Sequence, residues 1–322
     1  GEVVTWGDGA SGGDSEAVSD RLAEGVVSVA CTSGAFAALK ADGSVVTWGL
    51  PKRGGDSWAV AGQLAGGIAS ITGNHYAFAA VTEAGGVVSW GESGAGGDSG
   101  AKAEELRSGI ARVFGSYTAF AAVKQDGHVV TWGNTRVGGD SSEVAHQLNN
   151  VTFVAGNEHA FAAVKDRGAV VTWGNRRFGG EALLEAGDLA HGVTAIASTQ
   201  HAFAALKESG EVITWGHPRS GGDSRRFTHL LSSGVRSIVG SQHAFAATKE
   251  DGAVITWGSP VAGGDSKDVA DQLANGIVSV VATQKAFAAL KERGEVVTWG
   301  NEDYGGGSHL SAQGGILSVS GT

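Results

Sequence analysis

The stretch AFAALKADGSVVTWG, residues 35–49, decides the fold. Ala35–Leu39 and Val45–Trp48 are short apolar runs, and the two-residue turn Asp42-Gly43 between them suits a tight hairpin, where glycine reaches the positive φ that other residues avoid. In the first run Phe36 and Ala38 point one way and Ala35, Ala37 and Leu39 the other. Both faces are apolar or small, so such a sheet needs cover above and below. Outward from this hairpin, Val26–Ala30 is one more apolar run, which makes a three-stranded antiparallel unit. The unit recurs. Seven copies of Ala-Phe-Ala-Ala begin at Ala35, Ala77, Ala119, Ala160, Ala202, Ala244 and Ala286. Trp-Gly occurs at Trp6, Trp48, Trp90, Trp132, Trp173, Trp215, Trp257 and Trp299, spaced by 42 residues except for the 41 from Trp132 to Trp173. A period of this size built of short strands points to propeller blades and not to a helical solenoid. The eight tryptophans, at fixed phase in apolar strands, are expected in the core, and Trp58 is out of register.

Between units, four variable residues follow each Trp-Gly, and Gly-Gly-Asp-Ser comes next, with Asp14, Asp56, Asp98, Asp140, Asp223 and Asp265 at the acidic position and Glu181 and Gly307 as departures. A leucine lies eight residues on, at Leu22, Leu64, Leu106, Leu148, Leu189, Leu231 and Leu273, with a valine midway in four units. The spacing predicts a short capped helix or helical turn between blades. A fourth, outer strand is the competing reading. One carboxylate per unit fits helix capping or turn bonding better than a ring of Ca²⁺ ligands.

Composition narrows the function. Glycine supplies 54 of 322 residues but proline only 3, which excludes collagen-like and proline-rich linker classes. A net charge of −10 argues against nonspecific nucleic-acid binding. No apolar run approaches the ~18 residues of a membrane span, and no signal or anchor is visible in this segment. The chain reads as a single repeat-built domain over residues 1–322, and the lack of any methionine suggests an excerpt or a processed product. The lone Cys31 excludes an internal disulfide framework and reads as a small core or turn residue. His75, His159, His201 and His243, with the matching Tyr76, Thr118 and Lys285, precede the middle strand; equivalent atoms on neighbouring blades lie too far apart for a shared metal, so a turn or surface role is preferred. No serine sits in a nucleophile elbow, and no catalytic, cofactor or metal residue is assigned.

The combination of Val-x-x-Ile, His-Ala-Phe-Ala (at His159, His201 and His243), Asp-Gly-x-Val and Val-x-Thr/Ser-Trp-Gly resembles the RCC1-like (regulator of chromosome condensation) repeat propellers over nearly the whole chain. The resemblance implies an all-β ring of blades, usually seven, used for protein recognition. This sequence departs from the family in its shorter units and in Gly-Gly-Asp-Ser where the family often has Gly-Gln-Leu-Gly. Relatives with nucleotide-exchange activity on a small GTPase carry an inserted projection, for which intervals of 41 or 42 leave no room. The Gly-Trp-Arg-His-Thr motif of the plant UV-B receptors is absent. Seven units are complete; a spare third strand (Glu2–Trp6) and a spare first strand (Ile316–Val319) either overlap on seven blades, the favoured count, or form an eighth lacking its middle strand.

In a repeat array, the positions free to vary lie on loops. The four residues after each Trp-Gly change completely, and Arg176, Arg177, Phe178, Arg219, Arg225 and Arg226 concentrate cationic and aromatic character over two neighbouring units, as a binding hot spot would. The expected function is a noncatalytic scaffold that binds another protein or further subunits through its loop faces. The alternative is an inhibitor or regulator of an enzyme, which the resemblance to compact β-lactamase-inhibiting relatives suggests; an exchange factor comes third.

Overall fold

The computed structural model describes residues 1–307 and 315–321. Each Ala-Phe-Ala-Ala hairpin joins the run before it in a three-stranded antiparallel sheet, and seven such sheets form among the described residues. The chain divides into two compact units, Gly1–Ala163 with Trp173–Asn175, and Val164–Thr172 with Arg176–Thr322. The first holds three whole sheets: β1 (Val26–Cys31), β2 (Ala35–Lys40) and β3 (Val45–Gly49); β4 (Ile68–Gly73), β5 (Ala77–Thr82) and β6 (Val87–Gly91); β7 (Ile110–Gly115), β8 (Ala119–Lys124) and β9 (Val129–Gly133). The sheet of β10 (Val151–Gly156), β11 (Ala160–Lys165) and β12 (Val170–Gly174) contains the division. The second unit holds β13 (Val193–Ser198), β14 (Ala202–Lys207) and β15 (Val212–Gly216); β16 (Val235–Gly240), β17 (Ala244–Lys249) and β18 (Val254–Gly258); β19 (Ile277–Ala282), β20 (Ala286–Lys291) and β21 (Val296–Gly300).

The hairpin differs in detail from its sequence reading. Lys40 N donates to Ser44 O and Gly43 N to Lys40 O, and only the glycine takes a positive φ, +77°. A two-residue type I′ turn would need positive φ at Asp42 as well. The loop therefore has three residues, ending in a left-handed glycine, and the Asp42 carboxylate accepts from Ser44 N at 2.9 Å to hold it.

Blades pack large against small. The forward side of the first blade presents Ala35, Ala37, Leu39 and Val45, and the backward side of the next meets it with Leu64, Ile68, Phe78, Ala80, Val88 and Trp90. The same division recurs in the cluster around Phe120 and Trp132 and in the second unit around Phe245 and Trp257. Within each blade the phenylalanine stacks on the tryptophan, as Phe78 does on Trp90 with centroids 5.1 Å apart. The indole Nε1 donates to a glycine carbonyl of the preceding blade's loop, from Trp48 to Gly12 (2.9 Å), Trp90 to Gly54 (3.0 Å) and onward to Trp299 and Gly263 (3.0 Å). Seven tryptophans are thereby buried, each at most 5% exposed. Trp6 departs from the expectation of burial: it is 84% exposed.

No fourth, outer strand forms among the described residues. Among the described residues the linkers are mostly single 3₁₀ turns, lengthened to one α-helical turn only at α1 (Ser19–Leu22) and α2 (Thr228–Leu231). Each residue of Gly-Gly-Asp-Ser has a definite task. The first glycine is left-handed and faces the next blade's phenylalanine; a Cβ on Gly54 would stand 2.5 Å from a Phe78 ring carbon. The second lies against the Trp-Gly backbone, where a Cβ on Gly55 would meet Gly49 O at 2.2 Å. The aspartate accepts from the backbone two residues on, as Asp140 does from Ser142 N at 2.9 Å, which is turn bonding and not a side-chain N-cap. The serine hydroxyl bonds the threonine of the third strand, Ser57 to Thr47 at 2.9 Å. The linker leucines are 1–3% exposed. The lysine ending four of the middle strands closes the linker turn, Lys40 Nζ donating to Arg21 O, and Lys207, Lys249 and Lys291 doing likewise to Asp188 O, Leu230 O and Gln272 O.

The one short repeat loses its residue between Leu148 and Val151. Asn150 there occupies the left-handed position that glycine holds in the other units, with φ +54°, and the preceding linker runs as 3₁₀ turn over Ser142–Gln147. Asparagine tolerates that region best among non-glycine residues. Glu2–Trp6 and Ile316–Val319, expected as spare strands, belong to no sheet. Each keeps a bond of its repeat position, Val3 N to Leu22 O and Ile316 N to Gly294 O, but lacks the middle strand that would pair it. Cys31, expected in the core or a turn, is an exposed strand residue.

Candidate interaction surface

The variable residues leave each third strand at Trp-Gly and form a 3₁₀ turn closed by the left-handed glycine. All three prolines of the chain, Pro51, Pro218 and Pro260, occupy the first position of such a turn, where a missing N–H costs nothing. These turns are rigidly held yet free in sequence. That combination presents side chains without demanding any particular ones.

The predicted cluster lies wholly in the second unit. Arg176, Arg177 and Phe178 form one turn, Arg219 sits in the turn Pro218–Ser220, and Arg225 and Arg226 open the following linker turn. All five arginines are exposed and Phe178 is half-buried. The structure sorts them into two groups. Arg176 and Arg225 line a groove of about 690 Å³ with Leu183, Leu184 and Pro218, and Arg219, Arg225 and Arg226 line the adjoining groove of about 1040 Å³ with Phe227 and Lys267. Leu183 and Leu184 are 73% and 94% exposed at the rim of the first. Arg177 lies over Phe178, which packs on His201 and His217 with centroids 4.7 and 5.9 Å away.

Pairing divides the cations further. Arg176 reaches Glu181 at 3.6 Å, and Arg225 engages Asp223 through Nε at 2.9 Å, which with the backbone N–H of Arg225 holds that carboxyl down at about 2. Arg219 and Arg226 make no ion pair among the described residues. His217 is held below the usual histidine range, first by burial and then by the charges of Arg177 and Arg219, and its Nδ1 has no hydrogen-bond partner.

A second feature escaped the sequence reading. In the first unit, residues just before the middle strands build an aromatic row: His75 stacks on Tyr117 at 4.3 Å, Tyr76 meets Tyr117 edge-on at 5.4 Å, and Arg53 lies 4.5 Å over Tyr76. The Tyr117 hydroxyl is pushed up to about 12, chiefly by its bond to Tyr76. The row exists because backbone links join equivalent positions of successive blades, Ser33 N to His75 O and His75 N to Tyr117 O. The available signal was the phase: His75 stands one residue earlier than Tyr76, His201 and His243, and so belongs with Tyr117. In the second unit the analogous His201 and His243 stack at 5.3 Å.

No family model and no curated protein matches the chain. Among solved structures it is similar to Prp20p of Saccharomyces cerevisiae, described with its binding to Gsp1p and histones (17% identity, 72% of each chain covered, TM-score 0.44). It is similar also to the ectodomain of the Physcomitrella patens receptor kinase CR4 (15% identity, 86% of this chain and 74% of that one, TM-score 0.49) and to human WBSCR16 (15% identity, 92% and 84%, TM-score 0.46).

Proposed function

We propose that this array of blades is a noncatalytic scaffold that binds another protein through its variable turns, and that the bound surface is acidic. The observation that carries the reading is the pair of exposed guanidiniums, Arg219 and Arg226, without an ion pair among the described residues, on the wall of the groove that also holds Arg225. In a chain of net charge −10, Arg219, Arg225, Arg226 and Lys267 outnumber Asp223 and Asp265 around the second groove, a local field opposite in sign to the whole. Arginine is the cation best suited to such contacts, since its planar fork bonds carboxylates in pairs. The exposed Leu183 and Leu184 supply apolar area beside the charge.

The test is affinity capture with the wild-type chain and with a triple variant, Arg176→Ala, Arg177→Ala and Arg219→Ala, followed by identification and titration of the captured protein. The wild type retains a partner that the triple variant loses, and the interaction weakens as salt screens the charges. Equal capture by both chains, with the triple variant folded, rejects this surface.

A further inference from the structure

With no fourth strand among the described residues, the third strand of each sheet is an edge. Along β18, Lys249 N donates to Ala253 O and Ser259 N to His243 O, so alternate residues turn their backbone groups to β17 and Val254, Thr256 and Gly258 turn theirs outward. The linker takes the two ends of that edge. Val254 N donates to Leu273 O at 2.9 Å, and Gly264 lies against Gly258, where a Cβ would stand 2.6 Å from the carbonyl carbon. Between them the Thr256 hydroxyl bonds Ser266 Oγ at 2.9 Å, but Thr256 N and O have no partner among the described residues. This stretch lines the groove of about 1040 Å³, flanked by the linker after β15, with Pro218 and Phe227, and by the linker after β18, with Pro260 and Ala270. Grooves of the same construction follow β6, with about 860 Å³, and β15, with about 690 Å³. They differ in charge. Lys52 and Arg107 balance Asp56 and Asp98 along β6, and five carboxylates, Glu181 and Asp188 among them, outnumber Arg176 and Arg225 along β15. Only along β18, of the three, do the cations exceed the carboxylates.

We propose that the β18 groove takes a short extended segment of an acidic partner protein as a fourth strand, paired through the outward backbone groups of Thr256. This rests on the reading of the arginine surface given above, and adds the conformation of the bound segment and the place where it lies. Edge addition draws affinity from main-chain hydrogen bonds and specificity from alternate side chains. Because the linker holds both ends of the edge, the paired part is short, about three residues, and the flanks contribute the rest. Side chains of an added strand alternate between the two flanks. Acidic ones meet Arg219 and Arg226, which make no ion pair among the described residues, and apolar ones meet Pro260 and Ala270. The β15 groove offers the same kind of backbone edge at Thr214, but its negative flanks repel such a segment. Groove charge thus selects among edges that are alike in backbone.

The probe is a short blocked peptide of alternating glutamate and valine, titrated into the 322-residue chain over roughly 1 µM to 1 mM, with backbone amide exchange followed by NMR. Two further peptides carry N-methyl groups, one on the valine amides and the other on the glutamate amides. In an added strand one set of amides faces β18 and the other faces solvent. One methylated peptide therefore binds like the parent, and the other is weakened at least about tenfold. Binding slows exchange at Thr256 and not at Thr214, and the double variant Arg219→Ala, Arg226→Ala weakens it at least about tenfold at an unchanged melting temperature. No binding at the top of the range overturns the proposal, as does unchanged Thr256 exchange in the complex. Thr256 exchange that slows with the concentration of this chain alone makes a second copy the occupant and overturns it too. Equal affinity of the two methylated peptides, with the arginines still required, rejects the added strand and leaves the acidic-partner reading standing. Peptide binding and partner capture that both ignore the arginines reject the two together.

Discussion

Trp132→Ala and Trp6→Ala remove the same residue from the same Val-Val-Thr-Trp-Gly setting, yet they are expected to differ sharply. Trp132 is 4% exposed, stacks on Phe120 with centroids 5.3 Å apart, and donates to Gly96 O at 3.0 Å. An indole buries about 200 Å², which at about 25 cal/mol per Å² gives an upper figure of about 5 kcal/mol. Truncations of this kind cost about 3–5 kcal/mol with the cavity included, and the stranded Gly96 carbonyl adds up to about 1–3 kcal/mol unless water enters the space. We expect about 4 kcal/mol for Trp132→Ala. Trp6→Ala removes an indole that touches little, and should stay within about 0.5 kcal/mol. Trp132→Phe, which keeps an aromatic ring but loses the donor, should fall between, at about 1–2 kcal/mol. Urea titrations followed by circular dichroism measure all three from the midpoints. Equal midpoints for Trp132→Ala and Trp6→Ala would show that burial against the preceding loop is not what stabilises these residues.

Three other outcomes are expected. Asp140→Ala should cost about 1 kcal/mol in the same titration by leaving Ser142 N without its turn acceptor, while capture of the partner is unchanged. Asp223, held at about 2 mainly by Arg225, is ionised in the folded chain well below the usual carboxylate range; because that value is depressed, its stabilisation is complete above about pH 4 and is lost as pH falls towards 2. Arg225→Ala should move the Asp223 carboxyl upward in an NMR titration and shrink that acid-side loss, and an unmoved resonance counts against the pairing. Gly54→Ala should destabilise by about 1–3 kcal/mol more than Gly305→Ala in matched melts, since both suffer at positive φ but only the first drives a methyl into a buried phenyl ring.

The repeat was legible because its signals are local. Phe36 against Ala35 and Ala37 settles the two faces of a strand by alternation alone, and Trp-Gly at fixed spacing sets the period. Three features were less accessible. The Asp-Gly turn was read by its commonest partner type, whereas the ladder bond from Lys40 N to Ser44 O fixes a three-residue loop, a matter of register that composition does not encode. Trp6 carries the full motif but not the burial, because burial belongs to the preceding loop and not to the motif. The aromatic row of His75, Tyr76 and Tyr117 comes from stacking residues about 42 apart, visible only once the phase of each blade is known to the residue. Among the arginines of the variable turns, sequence gives the charge but not the pairing that separates Arg225 from Arg226.

The backward-pointing indole gives the array a grain. A blade offers small aliphatic groups and a bare carbonyl to its successor, and takes the cover for its own phenylalanine and tryptophan from its predecessor. Removing blades from the C-terminal side therefore hands water a glycine carbonyl, which it hydrates, and a face of aliphatic side chains such as Ala35, Ala37, Leu39 and Val45, with no aromatic ring among them. Removing them from the N-terminal side strips the roof from an indole and a phenyl ring. Shortening is thus cheap in one direction and expensive in the other, and any trimmed version that keeps its first Gly-Gly turn should retain its aromatic layers whatever its length.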